Sequence, residues 1–307
     1  MRISQRFHMK KSVSQGKWWI IMSFLLPSFI GFAVFIFLPM LTTLGMAFTN
    51  YSGGTKWKFI GLTNFRMAFF KSQFPSYLYL TFKFMFVTVF FQIVLGLGFA
   101  LVLAKPSKGC GFFRSAFYIP NILSSVAVGL AFNFIFEPSA GLMNQLLASV
   151  GLPTSKFLTS DKSALGVIMA VTIWQNFGYY MVLFIGGLQN INPSLYEASN
   201  MDGANKWQQF WSVTIPGLSP VLFFAITMAV IRGFQVFDFV YVMTGGQAGG
   251  GPGGSTTVLA FDIYRNAFQY YRMGYAASES LILMVIILAI TAIQQIGQKK
   301  WVVYDAV

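Results

Sequence analysis

The chain has 307 residues, 56% hydrophobic and only 9% charged, with a formal net charge of +13. A soluble domain carries roughly 25% charged residues, so a water-exposed globule is excluded and the composition is that of a polytopic membrane protein. The excess of Lys and Arg reads as loops that set orientation and meet anionic lipid headgroups rather than as a nucleic-acid surface, and one cysteine (Cys110) with one histidine (His8) leaves no disulfide and no metal-ligand set.

The first apolar run, 18–40, follows Arg2, Arg6, Lys10, Lys11 and Lys17 with no acid among them. It is too long for the apolar core of a signal peptide, and no small-residue cleavage site closes it. It is therefore expected to be a retained helix with its N-terminus in the cytoplasm. Further runs at 77–104, 116–136, 164–188, 218–243 and 276–298 are each long enough to cross a bilayer, which takes about 20 apolar residues. Six spans put both termini inside. Eleven Lys and Arg then fall in inner segments and eight in outer ones, several of these in long loops that count less in setting orientation. Trp18, Trp19 and Trp301 fall where an interfacial aromatic belt belongs. Gly96 and Gly98 are expected to permit close helix packing. Lys83 is near the outer face and within reach of it by snorkelling.

Between the fourth and fifth runs lies a polar island, Tyr196-Glu197-Ala198-Ser199-Asn200-Met201-Asp202-Gly203-Ala204, followed by Ile215-Pro216. No charged residue occurs between Lys162 and Glu197, or between Lys206 and Arg232. A helix-forming polar segment tethered on both sides by membrane spans is a place for a soluble partner to dock. Pro193 suits the first helical position, Ser194 or Asn192 can cap, and Glu197 lies three residues after Ser194 as in a capping box. Gly203 is expected to end the short helix in the left-handed conformation.

In the fifth run, Arg232 falls about fourteen residues from the start, roughly 21 Å along a continuous helix at 1.5 Å per residue. A mid-membrane Arg is costly and faces a polar interior. On an unbroken helix Gln235 and Phe239 share its face, while Phe234, Asp238 and Tyr241 lie opposite. The glycine run 245–254 lacks a following Lys-Ser/Thr, so it is no phosphate loop, and with none elsewhere the chain is not expected to hydrolyse ATP. It is expected to be a flexible external loop that does not hold a fixed shape alone.

The Glu-Ala-Ser motif at 197–199, Gly203 and the Ile-Pro that follows resemble the EAA loop of ABC importer permeases. Three further segments support the likeness: Phe112-Phe113-Arg114-Ser115-Ala116-Phe117-Tyr118-Ile119-Pro120, Ile60-Gly61-Leu62-Thr63-Asn64-Phe65, and Phe234-Gln235-Val236-Phe237-Asp238 with Thr244-Gly245-Gly246. Together they resemble the short members of the family of the maltose transporter's larger membrane subunit. Ser199 replaces the second Ala of the family motif, and the external loop is longer and richer in glycine than the family's.

The resemblance implies an all-α helix bundle of six transmembrane helices with the type I (MetI-like) fold. Residues 1–76 would form the N-tail, first helix and external loop, 77–298 the five-helix core, and 299–307 a cytoplasmic tail. It implies a multi-pass permease in the cell membrane that imports a sugar, in particular an oligosaccharide, by alternating access. Its partners would be a second homologous permease, two ATPase subunits, an extracellular solute-binding protein and membrane lipid, with no nucleic acid and no cofactor. Tyr196, Glu197, Ala198, Ser199, Met201, Asp202 and Gly203 would couple to the ATPase. Arg232, Gln235, Phe239 and Asp238 would line the substrate path, and Gly245, Gly246 and Pro252 would meet the binding protein. For Arg232 the alternative is an ion pair or carbonyl contact between helices, and for the solute it is glycerol phosphate. An ion-coupled secondary transporter would need acids within spans, and only Asp238 and Glu279 come near. A membrane enzyme would need a catalytic constellation that the sequence lacks.

Overall fold

The computed structural model describes residues 18–105, 107–246 and 249–303. The basic N-tail and His8 lie outside them. Nearly all of the described chain is helical, apart from connecting turns and one isolated bridge between Thr49 and Phe59.

The first span is α1 (Trp18–Phe32) running through a π-helical turn at Ala33–Phe37 into α2 (Leu38–Met46). It extends six residues past the expected end at Met40. None of its apolar window is buried inside the chain. An outer segment with α3 (Thr63–Lys71) leads to α4 (Phe74–Leu103), the longest helix.

The expected third span is broken. α5 (Cys110–Ile122) and α6 (Ser125–Ile135) meet at 97°. Leu123 and Ser124 are extended there (ψ 148° and 126°), just after Pro120. The apolar run continues from one half into the other, so its length gives no sign of the bend. After α7 (Leu142–Ser149) comes the fourth span, α8 (Ala164–Asn190), the most buried of the set.

The polar island forms α9 (Pro193–Met201). A capped turn, α10 (Lys206–Gln209), passes through a π-helical turn at Phe210–Thr214 into α11 (Ile215–Phe234). This fifth span starts at Lys206 rather than at Leu218. It also stops at Phe234, where Phe237 leaves helical geometry (φ −140°, ψ −53°), and α12 (Asp238–Met243) restarts as a separate helix. A glycine-rich segment, α13 (Leu259–Tyr264), a π-helical turn at Arg265–Gln269 and the last span, α14 (Met273–Trp301), complete the chain. Five helices are thus long and apolar enough to cross a membrane, or six with the bent pair as one span.

The bundle is built on α4 packed along α8, with α11 against both. Small residues set the spacing. A Cβ at Gly96 would lie 2.8 Å from Tyr180 Cβ, and one at Gly178 would overlap the Phe117 carbonyl of α5, so only glycine allows these approaches. Gly98 differs: no atom lies within 4 Å of where its Cβ would be, so the expected packing role belongs to Gly96 alone.

Candidate translocation path and docking helix

A cavity of about 290 Å³ opens between α4, α8 and the α11–α12 break. Arg232, Gln235, Asp238 and Phe239 all line it. The break explains why. With the helix interrupted at 235–237, the 100° rule no longer separates Asp238 from Arg232, and the opposite-face assignment fails. Arg232 also stands two residues before the helix end rather than midway along a continuous span.

The Arg232 guanidinium carbon sits 4.9 Å from the centre of the Tyr179 ring, a cation–π distance. Among the described residues it forms no ion pair, and its side chain is exposed to the cavity. Gln235 and Asp238 are exposed too, whereas Phe239 is buried beneath them.

The rest of the lining was not picked out from the sequence. Thr88 and Gln92 of α4, Thr172, Gln175 and Asn176 of α8, and Ser125 of α6 converge here. Gln92 donates to the Thr172 carbonyl (3.3 Å), Asn176 donates to the same carbonyl (2.8 Å), and Gln175 donates to Leu123 at the α5–α6 bend (3.2 Å). Their signal was available: amides within apolar runs are expensive in lipid and point to a bundle interior or a hydrated path.

At the opposite end of α11 lies α9. Asn192, not Ser194, caps it, accepting from Ser194 N at 3.0 Å with Pro193 in the first turn. Glu197 makes no capping box. It is exposed, with no hydrogen bond or ion pair among the described residues. The capping box in this region is Asn205–Gln208, which opens α10. Gly203 has φ +76°, as expected of a left-handed C-terminal stop, and Ala204 N returns to the Ser199 carbonyl at 3.0 Å.

Tyr196 joins α9 to the bundle through a 3.0 Å hydroxyl contact with Thr214 at the root of α11. Ser199 Oγ donates to the Tyr196 carbonyl. Ala198 and Asp202 are exposed alongside Glu197, and Met201 is 89% exposed. The helix therefore offers an acid and an apolar tip to something outside the chain.

The glycine-rich segment is more ordered than its composition suggests. Gln247 and Ala248 lie outside the described residues. Beyond them Gly250 N donates to Thr244 Oγ1 (2.9 Å), Thr256 N to the Gly250 carbonyl (2.9 Å), and Leu259 N to Thr81 Oγ1 of α4 (2.8 Å). Thr256 to Leu259 are fully buried, so this half of the loop is a plug in the bundle. Gly245 is exposed, Gly246 is partly covered near Tyr241, and Pro252 opens a 3₁₀ turn.

Beside the plug is a polar cluster. Arg265 pairs with Asp262 at 2.7 Å, and Asn266 Nδ2 donates to both Asp262 (3.1 Å) and Glu279 (3.0 Å). Glu279 is fully buried in this cluster and does not line the Arg232 cavity, so of the two acids only Asp238 adjoins the path.

These features define a multi-pass membrane protein with a polar cavity at broken helices and an exposed polar helix between its fourth and fifth spans. Residues 15–302 match the family of binding-protein-dependent transport system inner membrane components, and the chain belongs to it. A probable ABC transporter permease protein of Bacillus subtilis is 34% identical over 287 residues, covering 92% of each chain. A multiple sugar-binding transport system permease protein of Streptococcus mutans is 33% identical, covering 91% of this chain and 95% of its own. Among solved structures, a bacterial ABC transporter involved in the import of the acidic polysaccharide alginate superposes with a TM-score of 0.80 at 25% identity, covering 92% of this chain and 96% of that one. The fold is thus the MetI-like fold of ABC importer permeases, and members of this family are membrane subunits rather than catalysts.

Proposed function

We propose that the chain is one of two permease subunits of a sugar importer, with an oligosaccharide as its solute. One of a pair of ATPase subunits docks on α9 from the cytoplasm, where both termini also lie, and an extracellular solute-binding protein delivers sugar near Gly245, Gly246 and Pro252. The observation that carries this reading is the connection along one helix. An unpartnered acid, Glu197, sits on a helix tied through Tyr196 and Thr214 to the root of α11, and the other end of α11 carries Arg232 into the polar cavity. ATP-driven closure of the ATPase pair would move α9 and with it the wall of the path, which is alternating access by rigid-element motion. Hydroxyl-rich solutes suit a wall of amides, hydroxyls and aromatic faces.

The test is purification with native partners, followed by measuring which solute, loaded on the binding protein, raises ATP hydrolysis. Stimulation by an oligosaccharide supports the reading. The unpaired Arg232 favours a second reading, an anionic solute such as glycerol phosphate, and stimulation by that compound alone would select it. Uptake that collapses with an ionophore, with no ATPase co-purifying, would replace both with an ion-coupled transporter.

A further inference from the structure

A furrow of about 630 Å³ runs along the outside of the bundle between α4 and α5. Its α4 wall is Val94, Leu95, Gly98, Phe99, Val102 and Leu103, and its α5 wall is Phe113 and Phe117, so no polar side chain enters it. Gly98 sits within this wall with open space where a side chain would be, in contrast to Gly96, which is clamped against Tyr180. Gly98 keeps the furrow deep. From Val94 to Leu103 the furrow is roughly 14 Å long at 1.5 Å per residue, close to half of a hydrocarbon core of about 30 Å.

At its Leu103–Phe113 end the furrow adjoins a second cavity of about 560 Å³, lined by Ala104, Ser107, Lys108, Arg114 and Gln189 among others. Leu103 and Ala104 are consecutive, as are Phe113 and Arg114. On α5, Cys110, Phe113, Arg114 and Phe117 fall within about 100° of arc, so the two hollows share one helix face. The chain from Lys105 to Arg114 carries three basic residues and no acid. Lys105 and Lys108 are exposed and form no ion pair among the described residues. Arg114 is fixed in place because its guanidinium caps α4 through the Leu103 and Ala104 carbonyls. Gln189 lies in the last turn of α8, three residues before the Asn192 cap, so this basic mouth lies on the same face of the membrane as α9.

The geometry points to a binding site for an anionic phospholipid. Its phosphate sits among Lys105, Lys108 and Arg114, and one acyl chain lies in the furrow over Gly98, beside the docking helix. A basic mouth opening onto an apolar slot one leaflet deep matches a charged headgroup joined to a hydrocarbon tail, which no soluble anion and no neutral lipid would match at both ends. The inner-leaflet assignment rests on the docking role of α9, but lipid retention can be measured without any ATPase activity.

The complex, purified with its native partners, is exposed to equal phosphatidylglycerol and phosphatidylcholine, and the retained lipid is counted by native mass spectrometry. Wild type is expected to hold phosphatidylglycerol selectively. A Lys105→Gln/Lys108→Gln variant is expected to lose affinity on the order of thirtyfold, from the usual contribution of each basic residue at an anionic surface. Gly98→Leu, whose Cβ has open space and whose side chain would occupy the furrow, is expected to lose retention while keeping all of its charges; Gly98→Ala gives a smaller loss should the larger side chain hinder insertion. Equal retention of the two lipids by wild type overturns the proposal. So does unchanged retention in both Gly98 variants, which would reduce the effect to diffuse surface charge. Separation of Gly98→Leu from a second permease also overturns it, since the furrow would then be a protein interface.

Discussion

The α9 region and the Asp262–Glu279 cluster are both polar regions beside membrane spans, yet they distribute their partners in opposite ways. In the cluster, Asn266 bridges Asp262 and Glu279, Arg265 pairs with Asp262, and every element is internal. In α9 Tyr196 reaches Thr214 at the root of α11 and Asn200 accepts from Gln209 of α10, while Glu197, Met201 and the following Asp202 face outward. A buried polar group without a partner is costly, so both carboxylates take donors from within the chain, although Glu279 Oε1 and Arg265 Nε have no partner among the described residues. An exposed helix costs little when left incomplete, so it can await a second molecule. Chemically similar residues thus divide into those paired within the chain and those left exposed.

The sharpest way to break this comparison is to change one residue on each side. Glu197→Lys is expected to abolish uptake while thermal stability stays within about 0.5 kcal/mol of wild type, as for other exposed substitutions. Uptake by purified, reconstituted complex and the melting temperature decide it. Asn266→Ala should do the reverse. It removes the donor shared by two buried carboxylates, for a loss of about 1–3 kcal/mol read as lowered thermal stability in detergent. If the two variants behave alike, the distinction is false.

Arg232→Ala sharpens the picture of the path. With no ion pair to lose and only the Tyr179 face beside it, the variant should insert at wild-type levels and transport more slowly. Failure to accumulate in the membrane would make Arg232 a structural residue after all.

The smallest effect is expected at Glu137, in the loop after α6. Its carboxylate accepts from Ala140 N, and from the hydroxyl and amide of Ser139, and these bonds hold its pKa below the usual carboxylate value. A carboxylate depressed in the folded state adds stability above its unfolded pKa and loses it as pH falls through the folded value. Melting temperatures of wild type and Glu137→Gln should therefore differ slightly at pH 7 and converge in strong acid.

The six apolar runs and the polar island were legible because length, hydropathy and an isolated acidic motif are one-dimensional signals. Gly203 was legible as well, since a left-handed stop is a local property. The breaks at Leu123 and Phe237 were not, because each lies inside a run long and apolar enough to be read as one span. The face assignment of Asp238 failed with them, since periodicity presumes an unbroken helix. The glycine-rich plug was hidden for a different reason. Its order comes from Thr81, nearly 180 residues earlier, and from Thr244, Thr256 and Thr257 folding over Gly250, none of which composition records.

The breaks have one further consequence. Hydrocarbon does not tolerate unpaired peptide groups, so irregular backbone at membrane depth survives only where protein or water satisfies it. Both interruptions, at 123–124 and at 235–237, adjoin the cavity that holds Arg232. Water is therefore expected to reach the unwound peptides from this cavity. Their amides should exchange with heavy water far sooner than those of buried helical residues away from it such as Phe184, so the extent of the cavity could be traced by isotope uptake without any solute being known.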